Sequence, residues 1–176
     1  DSYRPLAGEP RSALNMRFLG DDLTWMARSK HHYIYEYYNG WVAPYIYPGA
    51  QVIVRDLRIL AELGAQGASS DMYGYSPCNM YAGARALWSP DVSWEAAVRD
   101  FHRRHYGDAG QEMADNWVEV EKGVHGKAGY QSGGALNDPP RRATSGEWFN
   151  EIRPRQIELL EGLIARTEDP VVKARL

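Results

Sequence analysis

Two carboxylates stand almost alone in the most aromatic stretch of the chain. Between Lys30 and Arg55 the only Asp, Glu, Lys or Arg is Glu36, in His31-His32-Tyr33-Ile34-Tyr35-Glu36-Tyr37-Tyr38. Between Glu62 and Arg85 it is Asp71, in Gly67-Ala68-Ser69-Ser70-Asp71-Met72-Tyr73. A carboxylate among tyrosines is costly unless it meets a polar ligand or a hydrogen-bond partner. Paired carboxylates hydrolyse glycosidic bonds, about 5–5.5 Å apart in retaining enzymes and about 6.5–9.5 Å apart in inverting ones. Adjacent strands lie about 4.8 Å apart, so residues on neighbouring strands reach either spacing. On this pattern Glu36 is a candidate nucleophile or base. Asp71 is a candidate to bind sugar hydroxyls or to orient Glu36. The plainer alternatives are a Glu36 pair with Arg55 or Arg85, and an Asp71 that caps the turn before Tyr75-Ser76-Pro77.

The tyrosines fit the same chemistry. Nine of the 12 lie between Tyr33 and Tyr81. Tyr35, Tyr37, Tyr38 and Tyr73 flank the two acids, and Trp41, Tyr45 and Tyr47 follow the first in a Pro-punctuated loop. Rings of this kind stack on pyranose faces and their hydroxyls bond to sugar hydroxyls. They also fill cores and favour strands. Carbohydrate is therefore the expected partner, and no cofactor is expected.

Other chemistries have less support. Adjacent strand residues point to opposite faces, so His31 and His32 do not readily share a metal ion, and no spaced Cys or second carboxylate completes a tetrahedral set. No Gly-x-Gly-x-x-Gly or P-loop pattern cradles a phosphate. The formal charge of −3 and pI near 6.0 argue against a nucleic-acid footprint. The densest basic cluster, His102-Arg103-Arg104-His105, reads as a solvated helix face. Cys78 is the single cysteine. It excludes an internal disulfide, leaves the compartment open (secreted and periplasmic locations included), and suits a small buried position. No apolar run approaches the roughly 18 residues of a membrane span. The first residue is Asp1 and the opening is Pro/Gly-rich, which suggests a fragment or a processed product.

The elements that must position these residues follow from periodicity. Residues 12–30 read as helix, with Asp21 and Asp22 suited to a helix start. A strand follows at about 32–38, ending at Asn39-Gly40. A helix spans about 50–63, with Ile53, Leu57, Leu60 and Gly64 on one face, and a short strand covers about 67–72. Strand, helix, strand in about 40 residues is a βαβ unit with parallel strands. Parallel strands need cover on both faces, and two strands do not make an independent sheet. A larger α/β structure is expected, completed by a missing N-terminal segment or by a partner chain that covers the strands.

From residue 76 the pattern is helical. A helix is expected at 79–88. Ser93 caps the next, with Trp94, Ala97, Val98 and Phe101 on one face and an end near Tyr106-Gly107. Asp108 and Gln111 resemble a capping box for a third helix with Met113, Trp117, Val120 and Val124 inside. Trp88, Trp94 and Trp117 are expected to pack between helices. Residues 126–143 read as a long loop, Thr144 and Glu147 as a second capping box, Pro154 as a kink or restart, and Asp169-Pro170 as the start of a final turn.

Several of these stretches resemble one bacterial family. They are Ile34-Tyr35-Glu36-Tyr37-Tyr38, Asp56-Leu57-Arg58, Gly64-Ala65-Gln66-Gly67, Ala84-Arg85-Ala86-Leu87-Trp88-Ser89-Pro90-Asp91, Trp94-Glu95, and Asp100-Phe101 leading to Tyr106-Gly107. The family is the domain of unknown function numbered 4838, related to glycoside hydrolases of the α-glucuronidase and β-hexosaminidase kind. The resemblance covers residues 15–124. It implies an α/β fold: the last two βα elements of a TIM-type (β/α)8 barrel in residues 1–75, followed by a mostly α-helical region in residues 76–176. It implies a glycosidase-like hydrolase acting on a polysaccharide or glycan when the barrel is complete, and no activity for this chain alone. The general acid of related glycosidases usually lies on an earlier strand and has no counterpart here. The alternatives are a non-catalytic carbohydrate-binding module and a helical protein-interaction module.

Overall fold

A computed structural model describes residues 13–36, 48–70, 76–126 and 139–176, with side chains described for 15–36, 48–70, 76–123 and 150–176. In chain order the elements are α1 (Ala13–Met26), β1 (Tyr33–Glu36), α2 (Ala50–Glu62), β2 (Gly67–Ser70), α3 (Pro77–Trp88), α4 (Trp94–Tyr106), α5 (Gly110–Gly126), α6 (Pro139–Arg166) and α7 (Pro170–Lys173). The described residues are mostly helical around one small sheet of two strands.

The expected βαβ unit forms. β1 and β2 run parallel, with Tyr33 opposite Gly67, Ile34 opposite Ala68, Tyr35 opposite Ser69 and Glu36 opposite Ser70. Ile34 is buried with Leu60 of α2, and Met26, Ala65 and Ala68 pack against the pair. One face of the sheet is therefore covered by α2. Gly67 admits its neighbour's ring: a Cβ there would lie 3.1 Å from Cδ1 of Tyr33. The turn before β2 is held by His31, whose Nδ1 lies 2.9 Å from Gln66 Oε1, and by Gln66, whose Nε2 donates to Lys30 O.

The main core sits among the helices. Ile53, Val54 and Leu57 of α2, Cys78, Ala82 and Ala86 of α3, Trp94, Ala97 and Val98 of α4, and Val118 of α5 form one buried cluster. The residues that α3 turns inward are all small, so its backbone approaches α2 and α4 closely. Ser93 caps α4 as expected, its Oγ accepting from Ala96 N–H at 3.1 Å. Gly110 lets α5 start against α4, because a Cβ there would stand 2.6 Å from both Arg103 Cα and His102 O. α6 lies along α5 through polar pairs. Asn116 and Gln156 exchange hydrogen bonds of 2.7 and 2.6 Å, and Arg155 meets Glu119 at 2.6 Å. Asp169 caps α7 as expected, and Arg175 beyond it donates to His105 O.

Several expectations are corrected. α1 begins at Ala13, so Asp21 and Asp22 lie inside it and not at its start. Gly64 follows the end of α2 at φ 102° and stops the helix as expected, but it is exposed and does not extend the inner face of Ile53, Leu57 and Leu60. α6 begins at Pro139, so residues 139–143 are helix and Thr144 lies within it. Pro154 sits inside α6 without ending it. A 3-10 turn, Gly107–Ala109, precedes α5, and Gln111 turns to Asp115, donating at 2.8 Å. Among the described residues of α5 the buried positions are Gly110, Ala114, Val118 and Glu121, while Met113, Trp117 and Val120 are half-buried; the side chain of Val124 lies outside the described residues. Trp94 is buried and Trp117 packs against the cluster, but Trp88 is 90 % exposed. It lies on the side of α3 away from Cys78, Ala82 and Ala86.

Candidate functional site

The carboxyl ends of β1 and β2 lie side by side because the strands pair in register up to Glu36 and Ser70. Glu36 is therefore placed where the sequence analysis puts it, at the end of a parallel strand. It is half-buried, and the alternation along β1 sets it on the side of Ile34. Tyr35 lies on the other side with Tyr33, and both are largely exposed, at 54 % and 67 %. Tyr33 was not singled out by the sequence pattern, yet it shares the open face of the sheet with Tyr35. Of the other candidates, Asp71, Tyr37, Tyr38, Trp41, Tyr45 and Tyr73 lie outside the described residues, as does Tyr47. Asp71 follows directly on β2.

The chain entering α2 is tied down by side chains from the helical region. Asn79 of α3 is fully buried, and its Oδ1 accepts from Gly49 N–H at 3.2 Å. Glu121 of α5 is also fully buried. Its Oε1 accepts from Gln51 N–H, and its Oε2 accepts from Trp117 Nε1–H at 3.0 Å. Helix N-termini carry unsatisfied N–H groups and a positive partial charge, which a carboxylate satisfies well. Neither residue is visible as a partner in the sequence, because Glu121 and Gln51 are 70 positions apart.

A second buried pair is chemically quiet. Cys78 Sγ lies 4.0 Å from His102 Nδ1. That nitrogen is also 2.8 Å from Val98 O, so it carries the proton and donates to the carbonyl. Burial pushes the Cys78 thiol up, with the Glu121 charge adding to the effect. Burial holds His102 below the ordinary histidine range, against the opposing pull of the Val98 carbonyl. A reactive cysteine needs the reverse, a depressed thiol beside a charged imidazolium. Cys78 is thus the small buried residue expected. His102 corrects the reading of its cluster as solvated: it is in the core, between the rings of Tyr106 and Trp117, while Arg103 and Arg104 are exposed.

The outer face of α4 holds an ion cluster. Tyr81 donates its hydroxyl to Asp100 Oδ2, and Asp100 also accepts from Arg103 at 2.7 Å and Arg104 at 3.0 Å. The Tyr81 bond, aided by both guanidiniums, holds the Asp100 carboxyl down to about 2. Among the described residues no group of three His, Cys, Asp or Glu is arranged to hold a metal ion, and no helix is long and apolar enough to cross a membrane.

Two of the segments that carry the family resemblance meet at one latch. Arg58 of α2 reaches the turn after α3, donating from Nε to Pro90 O at 2.8 Å and from Nη2 to Val92 O at 3.1 Å. The family described as Domain of unknown function (DUF4838) matches residues 3–117. The chain belongs to this family. The match to DUF4838 spans α1 through the first half of α5 and so includes the βαβ unit, the Arg58 latch and the α3–α4 core. No curated protein and no solved structure matches the chain significantly.

Proposed function

We propose that this chain carries the last two βα elements of a glycoside hydrolase-like (β/α)8 barrel, akin to the α-glucuronidase and β-hexosaminidase type, and that the complete protein acts on or binds a polysaccharide or glycan. The observation that carries the reading is the parallel, in-register β1–α2–β2 unit with the carboxylate of Glu36 at its carboxyl end. Parallel barrels bind ligands at that end of their strands.

The open tyrosine face supports the architecture. All-parallel sheets are covered on both faces. Here α2 covers the Ile34 side, and Tyr33 and Tyr35 stand exposed on the other. Further strands on that side, from an adjoining N-terminal barrel segment, supply the cover. In this reading Glu36 serves as nucleophile or base and Asp71 binds sugar hydroxyls or orients Glu36. Tyr35, Tyr37, Tyr38, Trp41, Tyr45 and Tyr73 line the saccharide.

Glycan-array binding by the intact parent protein, followed by mass analysis of the products, tests the proposal. Saccharide binding is expected, with turnover falling about 100-fold or more in Glu36→Gln, the loss typical of a removed acid–base group. Binding without cleavage would reduce the function to carbohydrate recognition. No saccharide binding at all would overturn the proposal in favour of a protein-interaction module.

A further inference from the structure

We infer that Glu121 is a positioning residue, through which the helical region holds the first turn of α2 in place beside the candidate site at the carboxyl ends of β1 and β2. The role of that site rests on the proposed function; the tether itself is independent of it. A fully buried carboxylate is an expensive way to fill space. In this position a carboxylate, and not an amide, matches its surroundings. One oxygen takes the Gln51 backbone N–H and the other takes the Trp117 indole N–H, so both sides present donors. A glutamine has one oxygen and one NH2 group, so either orientation sets a donor against a donor. Asn79 makes the neighbouring contact to Gly49 N–H, so two elements of the helical region, α3 and α5, grip the first turn of α2.

The grip also has a rigid base. Trp117 packs against the central cluster and its ring lies 5.5 Å from that of His102, so Glu121 is held by the core of α4 and α5. The start of α2 is then set by residues 70 positions later in the chain, and β1, whose Ile34 packs on Leu60 of the same helix, inherits that placement.

The experiment is amide hydrogen exchange by mass spectrometry on the whole protein, comparing wild type with Glu121→Gln and with the milder Trp117→Phe, which removes only the indole donor. In Glu121→Gln the amides of residues 49–54 are expected to exchange at least about tenfold faster, because a buried bond to a charged group is lost there. Amides of residues 95–106 in α4 are expected to keep their protection. Trp117→Phe is expected to give a smaller change in the same segment. Unchanged exchange at 49–54, or an equal rise throughout α4 and α5, would overturn the inference. If Glu121→Gln does not fold, Trp117→Phe decides alone by the same two readings. Saccharide binding by the wild type separates this result from the proposed function: its absence sinks that function and leaves the exchange comparison standing.

Discussion

Gly110 is the position where one added methyl does the most damage. Its backbone is already helical, at φ −63° and ψ −34°, so alanine needs no change of dihedral angle. The obstacle is α4. The new Cβ would stand 2.6 Å from Arg103 Cα, 2.6 Å from His102 O and 2.9 Å from Arg103 N. All three are backbone atoms, so no side chain can swing aside. Ordinary carbon contacts begin near 3.5 Å, so α5 must move about 1 Å away from α4. The facing residues are Val98 and His102 on one side and Ala114, Val118 and Glu121 on the other, all buried. A gap of that size forfeits about a quarter to a half of each dispersion contact. Overpacking of this kind costs about 1–3 kcal/mol, more than alanine's helix preference of up to about 1 kcal/mol returns. A net loss of about 1 kcal/mol lowers Tm by roughly 2–4 °C in a chain of this length. Thermal melts followed by circular dichroism check it, with Gly20→Ala and Gly162→Ala as controls. A Cβ at either control position meets nothing within 4 Å, so both should hold or raise Tm. A Gly110→Ala protein that melts at or above the wild-type temperature would refute the close-approach argument.

Trp94→Ala should cost about 3–5 kcal/mol in urea unfolding, the range for a buried aromatic, whereas Trp88→Ala at a 90 % exposed site should stay within about 0.5 kcal/mol. Equal losses would show that the inner and outer faces of α3 and α4 are misassigned. Asp100 is held at about 2 when folded and titrates near 3.9 when unfolded, so its contribution is present above about pH 4 and is lost as pH falls toward about 2. The urea midpoints of wild type and Asp100→Asn should therefore converge below about pH 3, and a constant gap from pH 6 to 2.5 would contradict this. His102 is lowered by burial, so the unfolded chain binds its proton first and stability falls as pH drops below about 6.5. His102→Gln should flatten that slope between about pH 7 and 5, and an unaltered slope would remove His102 as its source.

Local features were readable to the extent that one element decided them. The period of Trp94, Ala97, Val98 and Phe101, with a serine in front, specified α4 and its cap. The alternation of Tyr and Ile with a helix between two short runs specified a parallel pair. Where an element has apolar residues on two sides, the pattern alone does not say which is inside. α3 carries Cys78, Ala82 and Ala86 on one side and Met80, Leu87 and Trp88 on the other. The larger side looks like the core by hydrophobicity, but the smaller side wins because three helices must approach closely there. α5 misleads for a related reason. Its buried seam includes Glu121, a residue that no hydrophobic template counts, so the expected face is rotated toward Met113, Trp117 and Val120.

The contacts that tie α2 to the helical region are of a different kind, because they join residues far apart in sequence. Glu121 to Gln51, Asn79 to Gly49 and Arg58 to Pro90 leave no periodic trace, since each needs one side chain at one place. This bears on what the family signature means. One stretch of the resemblance, Leu87-Trp88-Ser89-Pro90-Asp91, forms the end of α3 and the turn that Arg58 grips. The residues of this stretch thus secure helix packing. Glu36 sits apart from that latch, at the end of β1. Substituting Arg58 should therefore loosen the α2–α3 layer whatever the protein acts on, while only changes near the ends of β1 and β2 can test the proposed reaction. A Pro90 or Arg58 variant that kept full stability but lost saccharide binding would reverse this division, because it would place the ligand at the latch instead of at the strand ends.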